Sequence, residues 1–226
     1  ALERSELFEQ TLAAARQSGM LHSTASEVQA SLDPAMVVQT TANGVLLALP
    51  IQSCEIYLLD SGRKWLRREA RAVARGQEAH WAMGPDQVPA EGNPIVLEVL
   101  HSSGLVASDF SDDVSTVAER SGPTVLLGRL MGSEEALGIV RLTTTLRAPE
   151  FVRRHATFCQ TLWMHSGGAL ERSRLYTTTS TQARKLRQRA QQLTDILRLG
   201  SLSAADVPLT TLLPHIATGI ARSLGF

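Results

Sequence analysis

Two side chains of the sequence have the spacing of a metal-binding pair. His155 and Cys159 lie four residues apart in a stretch without helix breakers, so one helix face could carry both to a single ion. No third His or Cys stands at the spacing of a metal-binding motif, and His165 falls on a different face of the helix. Glycine-rich phosphate-binding patterns and the flanking signatures of catalytic nucleophiles are also missing. The sequence therefore predicts no metal site and no catalytic residue.

The cysteines and aromatic residues limit the kinds of cofactor that the chain is expected to bind. Cys54 and Cys159 stand among apolar neighbours and lack the dense, regular spacing of a disulfide framework, so we expect two buried thiols. The chain has only five Phe, three Trp and two Tyr, whereas flat cofactors such as haem or flavin usually meet aromatic or broad apolar walls. The sequence predicts no cofactor, and it leaves a small polar ligand or none.

Charge and hydropathy exclude two classes of partner. Lys plus Arg balance Asp plus Glu at 22 each in 226 residues, so no net charge is available to attract nucleic acid or an anionic membrane. The longest apolar run, residues 45–51, is far shorter than the roughly 20 residues of a membrane-spanning helix. The first residues lack the basic head and apolar run of a secretory signal. We expect a cytoplasmic protein without membrane contact.

Helices are predicted at the start and in the middle of the chain. Apolar residues recurring at sevens predict an amphipathic helix within residues 1–32, with a break near residue 20 at Gly19. Asp33-Pro34 is an N-cap followed by proline at the first helical position, which predicts a helix over 34–49. Asn93-Pro94 repeats this signature before a short helix over 95–101.

Strands and a long final helix complete the predicted order of elements. Residues 74–92 carry several Gly and Pro residues and predict a loop with one short strand. A weak helix is expected from Asp109 through Arg120, and a C-terminal helix from about 150 to Gly200 with a soft centre at Gly167-Gly168. β-rich runs bounded by turn residues predict strands over 53–59, 65–73, 105–108, 124–131 and 136–144, the last two forming a hairpin.

Three local patterns in this order resemble the GAF domain family over about residues 20–175. One runs from Asn93-Pro94-Ile95 through Gly104 to Ser108-Asp109. Another is a hairpin from Leu126 to Gly138-Ile139-Val140, and the third is Pro149-Glu150-Phe151 opening the last helix. The resemblance implies an α+β fold of the GAF/PAS-like kind. In that fold a central antiparallel sheet has flanking helices, with long helices at both ends of this chain.

The resemblance also implies candidate ligand-binding residues, which are His80, Trp81, Asp109 and Arg129. His80 and Trp81 lie in the loop that borders the ligand pocket in GAF domains, although a surface position in that loop is the simpler explanation for both. Asp109 could accept a ligand hydrogen bond or cap a turn. Arg129 stands where the family commonly has proline. Sulfoxide-reducing members would need cysteines in the pocket loops, and neither Cys54 nor Cys159 fits that placement.

The chain is expected to divide into four parts. Residues 1–32 form the N-terminal helix, 33–168 the GAF-like domain and 169–200 a connecting, coiled-coil-like helix. Residues 201–226 would begin a second, truncated GAF domain, because 197–226 resemble 22–51 in their apolar pattern.

A weak heptad pattern in the connecting helix predicts a parallel homodimer. The alternative is one amphipathic helix lying on the sheet. The resulting hypothesis is a non-catalytic sensory domain that relays the state of a ligand or of packing to a downstream output domain, by family analogy a histidine kinase. The alternative function is structural dimerisation without a small ligand. The predicted seam consists of Tyr176, Ala183, Leu186, Ala190, Leu193 and Leu197.

Overall fold

The structure is a computed structural model that describes residues 15, 18–76, 84–110, 123–204 and 214. Among them, those up to Arg174 form one compact unit and those from Leu175 form a second. The first unit contains a six-stranded antiparallel sheet in the order β3-β2-β1-β6-β5-β4. The strands are β1 (Ser53–Leu59), β2 (Trp65–Val73), β3 (Gln87–Pro89), β4 (Leu105–Val106), β5 (Thr124–Met131) and β6 (Ala136–Thr144).

The described helices are α1 (residues 18–30), α2 (Pro34–Ala48), α3 (Pro94–His101) and α4 (Ala148–Ala204). Two of them, α2 and α3, begin where the capping residues predict them. The Asp33 side chain accepts a hydrogen bond from the Ala35 backbone N–H at 3.0 Å, and the Asn93 side chain accepts from Ile95 and Val96, both at 3.1 Å. Each capping side chain accepts hydrogen bonds from backbone N–H groups that have no partner within the helix. The proline that follows each cap has no N–H group and therefore needs no acceptor.

The two faces of the sheet pack against different helices. One face forms the larger apolar cluster, in which Ile56 and Leu142 meet Val38 of α2 and Phe151 and Leu162 of α4. The other face, which we call the α3 face, carries Tyr57, Ile139 and Leu127 against α3. Because successive strand residues point to opposite faces, each central strand contributes to both clusters.

Several predictions of element ends are wrong, each for a physical reason. β4 ends at Val106 rather than residue 108, because the Ser108 N–H turns back to the Val106 carbonyl at 3.2 Å. α4 continues through Gly200 to Ala204, and the described part of α1 is helical at Gly19. An interior glycine costs only about 1 kcal/mol, which neighbouring helical residues can offset.

Other predictions agree with the structure or fall outside it. The α+β architecture with its central antiparallel sheet, flanking helices and long final helix is confirmed. So is the short strand in the loop before α3, which is β3. The predicted weak helix after Asp109 lies outside the described residues, as does most of the segment after residue 204. None of the described helices is long and apolar enough to cross a membrane.

Candidate functional site

Glu55 and Arg141 are charged residues in the middle of buried strands. Every residue of β1 is buried, and only Leu137 of β6 is partly exposed. The strand register sets Glu55 opposite Arg141 on β6 and opposite Arg71 on β2. Both charged side chains lie on the α3 face, where each is only 1% exposed. A charge so far from water requires direct partners, because its desolvation costs several kcal/mol.

Arg141 joins two carboxylates. Its Nη1 donates to Glu55 Oε2 at 2.9 Å. On the other side its Nε and Nη2 donate to Asp109 Oδ1 and Oδ2 at 2.9 and 2.7 Å. The Asp109 contact is the bidentate arrangement that gives guanidinium–carboxylate pairs their strength and fixed geometry. Arg141 therefore links the chain just after β4 to the centre of the sheet.

Arg68 of β2 completes a group that we call the charge cluster, made of Glu55, Arg68, Asp109 and Arg141. Its Nη1 donates to Glu55 Oε1 at 3.0 Å and to the Gly84 carbonyl at 2.7 Å, while Nη2 pairs with the exposed Asp86. The Gly84 N–H donates to Glu55 Oε2 at 3.2 Å. The cluster thus binds the backbone on the C-terminal side of residues 77–83 as well as the end of the β4 segment.

Tyr57 lies beside this cluster. Its ring packs edge-on against Phe110 at 4.9 Å between centroids. Its hydroxyl is buried, and among the described residues it has no partner with hydrogen-bonding geometry. Burial and the neighbouring Glu55 charge raise the pKa of Tyr57, so the phenol stays protonated. A Cβ at position 84 would lie 2.2 Å from this hydroxyl, so only glycine allows the backbone to approach so closely.

The charges of the cluster balance internally. Burial alone would lower the pKa of Arg141, but the hydrogen bonds and charge of Asp109 and the charge of Glu55 more than offset it, so that the pKa is raised. The formal charges of its two guanidinium groups and two carboxylates are equal and opposite. The cluster can hold two loop ends in place, and it has no group suited to nucleophilic attack.

The structure separates the residues predicted to bind a ligand. Asp109 belongs to the charge cluster, where both carboxylate oxygens contact Arg141. Arg129 lines a cavity beside α3 that contains none of the residues of the charge cluster. His80 and Trp81 fall outside the described residues. Ligand binding by these four residues stays a prediction.

Sequence reasoning missed Glu55 and Arg141, the two most buried members of the cluster. A single charged residue within a run such as Cys54-Glu55-Ile56 was the available signal, because a strand buried on both faces has no solvated side for it. Which residue neutralises it depends on the register between β1 and β6, which local sequence does not specify.

The thiols lie away from the charge cluster. Cys54 and Cys159 are both free and both belong to the apolar cluster on the opposite face of the sheet. Burial raises the pKa of Cys54, and it raises the pKa of Cys159 to about 12. Within the described ranges, no group of three His, Cys, Asp or Glu side chains is placed to hold a metal ion.

The residues of the predicted dimer seam lie on the second compact unit. Tyr176, Leu186, Leu193 and Leu197 are 55 to 73% exposed. Ala190 is exposed and Ala183 is half-buried. A row of exposed leucines at heptad spacing on one helix is the surface that a coiled coil buries.

Comparison with known proteins agrees on the fold. No protein-family model and no curated protein matches the sequence. Many solved structures are similar to this chain, and three with a TM-score above 0.5 illustrate the likeness. The GAF domain of an Acinetobacter phosphoenolpyruvate-protein phosphotransferase is 15% identical, with 71% of this chain and 95% of that chain covered and a TM-score of 0.52.

The other two come from different functional settings. The GAF domain of a putative sensor histidine kinase from Pseudomonas syringae pv. tomato is 17% identical, with 78% and 99% covered and a TM-score of 0.53. A free methionine-R-sulfoxide reductase from Neisseria meningitidis, solved with its substrate, is 18% identical, with 72% and 93% covered and a TM-score of 0.56. Agreement over nearly the whole of each of these chains, together with the sheet order and the flanking helices, shows that this chain has the fold of a GAF domain.

Proposed function

We propose that the chain is a non-catalytic sensory domain that acts as a homodimer. In this proposal it relays a change in ligand binding or packing through α4 to a downstream output domain. The observation that carries this proposal is the course of α4. Phe151, Leu162 and Leu170 are fully buried in the core of the first unit. The same helix continues to Ala204 and exposes Leu186 and Leu193. The same helix thus has one part packed in the core of the first unit and another part whose exposed leucines suit dimerisation.

The sheet supplies a physical connection between the charge cluster and α4. In β6, Arg141 faces the cluster while its neighbours Val140 and Leu142 face the opposite apolar cluster, which includes α4. We therefore expect a shift of Arg141 to displace Val140 and Leu142, which pack in the same apolar cluster as α4. A ligand produces such a shift only by binding one arrangement better than another, and typical couplings are about 1–3 kcal/mol.

The structural neighbours suggest the setting. The Pseudomonas syringae domain belongs to a putative sensor histidine kinase, and by this analogy we propose a histidine kinase as the output and the cytoplasm as the location. The reductase among the neighbours does not lead us to propose thiol chemistry here. Both thiols of this chain are buried in the apolar core with raised pKa values, whereas a reactive cysteine needs an accessible thiolate.

A structural dimerisation module is the second candidate, and the charge cluster favours it. Its guanidinium groups and carboxylates neutralise one another, so that the α3 face needs no external ion at this point. In this alternative the domain dimerises and sets the distance between the domains on either side of it, and α4 transmits no signal from a ligand.

The dimer seam can be tested by sedimentation equilibrium. Leu186→Asp/Leu193→Asp places charges in the middle of the predicted seam, so we expect the dimer dissociation constant to rise at least about a hundredfold. Thr181→Asp/Gln188→Asp adds the same charge on the opposite face of the helix and should dimerise like the wild type. A wild-type chain that stays monomeric at high concentration, or equal dimerisation of both double variants, contradicts the proposed dimer.

A further inference from the structure

The first compact unit contains a cavity of about 510 Å³ that shares no residue with the charge cluster. It lies between the turn that joins β1 to β2, the C-terminal half of α3 and the hairpin ends of β5 and β6. Its volume falls within the roughly 300–1,000 Å³ of small-molecule sites. Its apolar walls come from Leu59, Ala90, Leu97, Leu100, Met131 and Ala136.

Two of the cationic groups at the cavity already have carboxylate partners. Arg63 Nη1 lies 2.8 Å from Glu135 Oε2, and Lys64 Nζ lies 3.9 Å from Glu91 Oε2. These side chains are about half or more exposed, so each pair is a solvated rim contact. They contribute little net charge to the cavity.

Arg129 differs from these rim cations. Its Nη1 donates to the Leu100 carbonyl near the end of α3 at 3.0 Å. Its Nε is buried, and nothing in the described part of the chain accepts a hydrogen bond from it. No carboxylate of the described residues lies within ion-pair distance of the guanidinium. Arg129 therefore brings to a cavity with apolar walls a guanidinium group that has no direct carboxylate partner among the described residues.

We propose that this cavity binds a small monocarboxylate with an apolar body, with its carboxylate on Arg129. The carboxylate supplies the direct negative partner that the Arg129 guanidinium lacks. The apolar body fits the Leu, Met and Ala walls. Glu134 also lines the cavity, has no ion-pair partner among the described residues and would repel a second negative charge, which disfavours dicarboxylates and phosphate esters.

Binding of three probes of one shape tests the ligand class by isothermal titration calorimetry or NMR titration at millimolar probe concentration. The first probe, 4-methylpentanoate, carries only a carboxylate. Leucine carries a carboxylate and an ammonium group, and isopentylamine carries only an ammonium group. We expect a carboxylate probe to bind and the amine not to bind. Stronger binding of leucine points to free amino acids as the source, and stronger binding of 4-methylpentanoate points to simple carboxylic acids. Failure of both carboxylate probes, or equal binding of the amine, overturns the proposal.

Three variants locate the site. Arg129→Met should weaken binding of the carboxylate probe at least about tenfold, because a charged hydrogen bond is lost. Leu97→Trp fills the cavity from a partly exposed position while Arg129 stays intact, and should also weaken binding. Arg153→Met removes an exposed guanidinium elsewhere and should not change it. Circular dichroism confirms folding of each variant. Unchanged affinity in folded Arg129→Met or in folded Leu97→Trp contradicts this site, whether or not the chain dimerises.

Discussion

At the residue scale, the charge cluster shows how a buried ion pair fixes the backbone at two places. Glu55 and Arg141 face each other across two buried strands, and Asp109 and Gly84 are held to them from outside the sheet. Replacing such a group by an apolar residue of similar size is often harmless when all partners are replaced together. Removal of one partner is different, because a buried charge then loses a hydrogen-bonded counter-charge.

Arg141→Met tests this energetic role. The substitution leaves Asp109 without its bidentate partner and Glu55 with Arg68 and the more distant Arg71. We expect the free energy of unfolding to fall by about 3–5 kcal/mol in urea denaturation. Glu55→Gln should cost less, since Arg141 keeps Asp109. The exposed control Arg153→Met should stay within about 0.5 kcal/mol of wild type. A loss below about 1 kcal/mol in Arg141→Met would show that the cluster carries little stability.

Single residues of this site are only partly predictable from the sequence. Asp109 stands out as a carboxylate at a strand end, and the structure does place it at the cluster. Its partner Arg141 is 32 positions away and is not adjacent in any local pattern. The pairing depends on where the chain runs after β4, which the local sequence around either residue does not specify.

At the element scale, capping and hydrophobic alternation predict most of the fold because both act over a few residues. Asp33-Pro34 and Asn93-Pro94 open their helices as predicted, and β5 and β6 have their predicted bounds. The predicted end of α4 at Gly200 is wrong, because a single glycine weakens a helix without ending it. The Gly167-Gly168 pair suggests a soft centre, but the two glycines have different surroundings.

Gly167 and Gly168 form a matched pair for an experiment on α4. A Cβ on Gly167 would lie 1.6 Å from the Met131 carbonyl oxygen, whereas a Cβ on Gly168 meets nothing within 4 Å. Gly167→Ala must push α4 away from β5, so we expect a loss of at least about 2 kcal/mol in unfolding free energy. Gly168→Ala should be neutral or stabilise by up to about 1 kcal/mol through helix propensity. Equal effects in thermal denaturation would show that α4 does not approach β5 so closely.

At the scale of the whole molecule, we propose that the state of the charge cluster is communicated along α4. The sequence predicts the GAF fold through the order of its elements, and it predicts the exposed seam through heptad spacing. It cannot predict communication, because that depends on the free-energy difference between two arrangements of the same contacts. The structural dimerisation module shares the fold and the seam, and it differs in this coupling alone.

Disulfide formation at Leu186→Cys measures that coupling most directly. Both native thiols are buried, so the introduced cysteine at an exposed position should dominate the reaction. Asp109→Asn weakens the contact to Arg141 and should change the rate of cross-linking between protomers at least about fivefold. Glu69→Gln, an exposed carboxylate on β2, should leave the rate unchanged. Equal rates in a folded, dimeric Asp109→Asn variant and its Glu69→Gln control would contradict the relay and leave the structural module as the function of this domain.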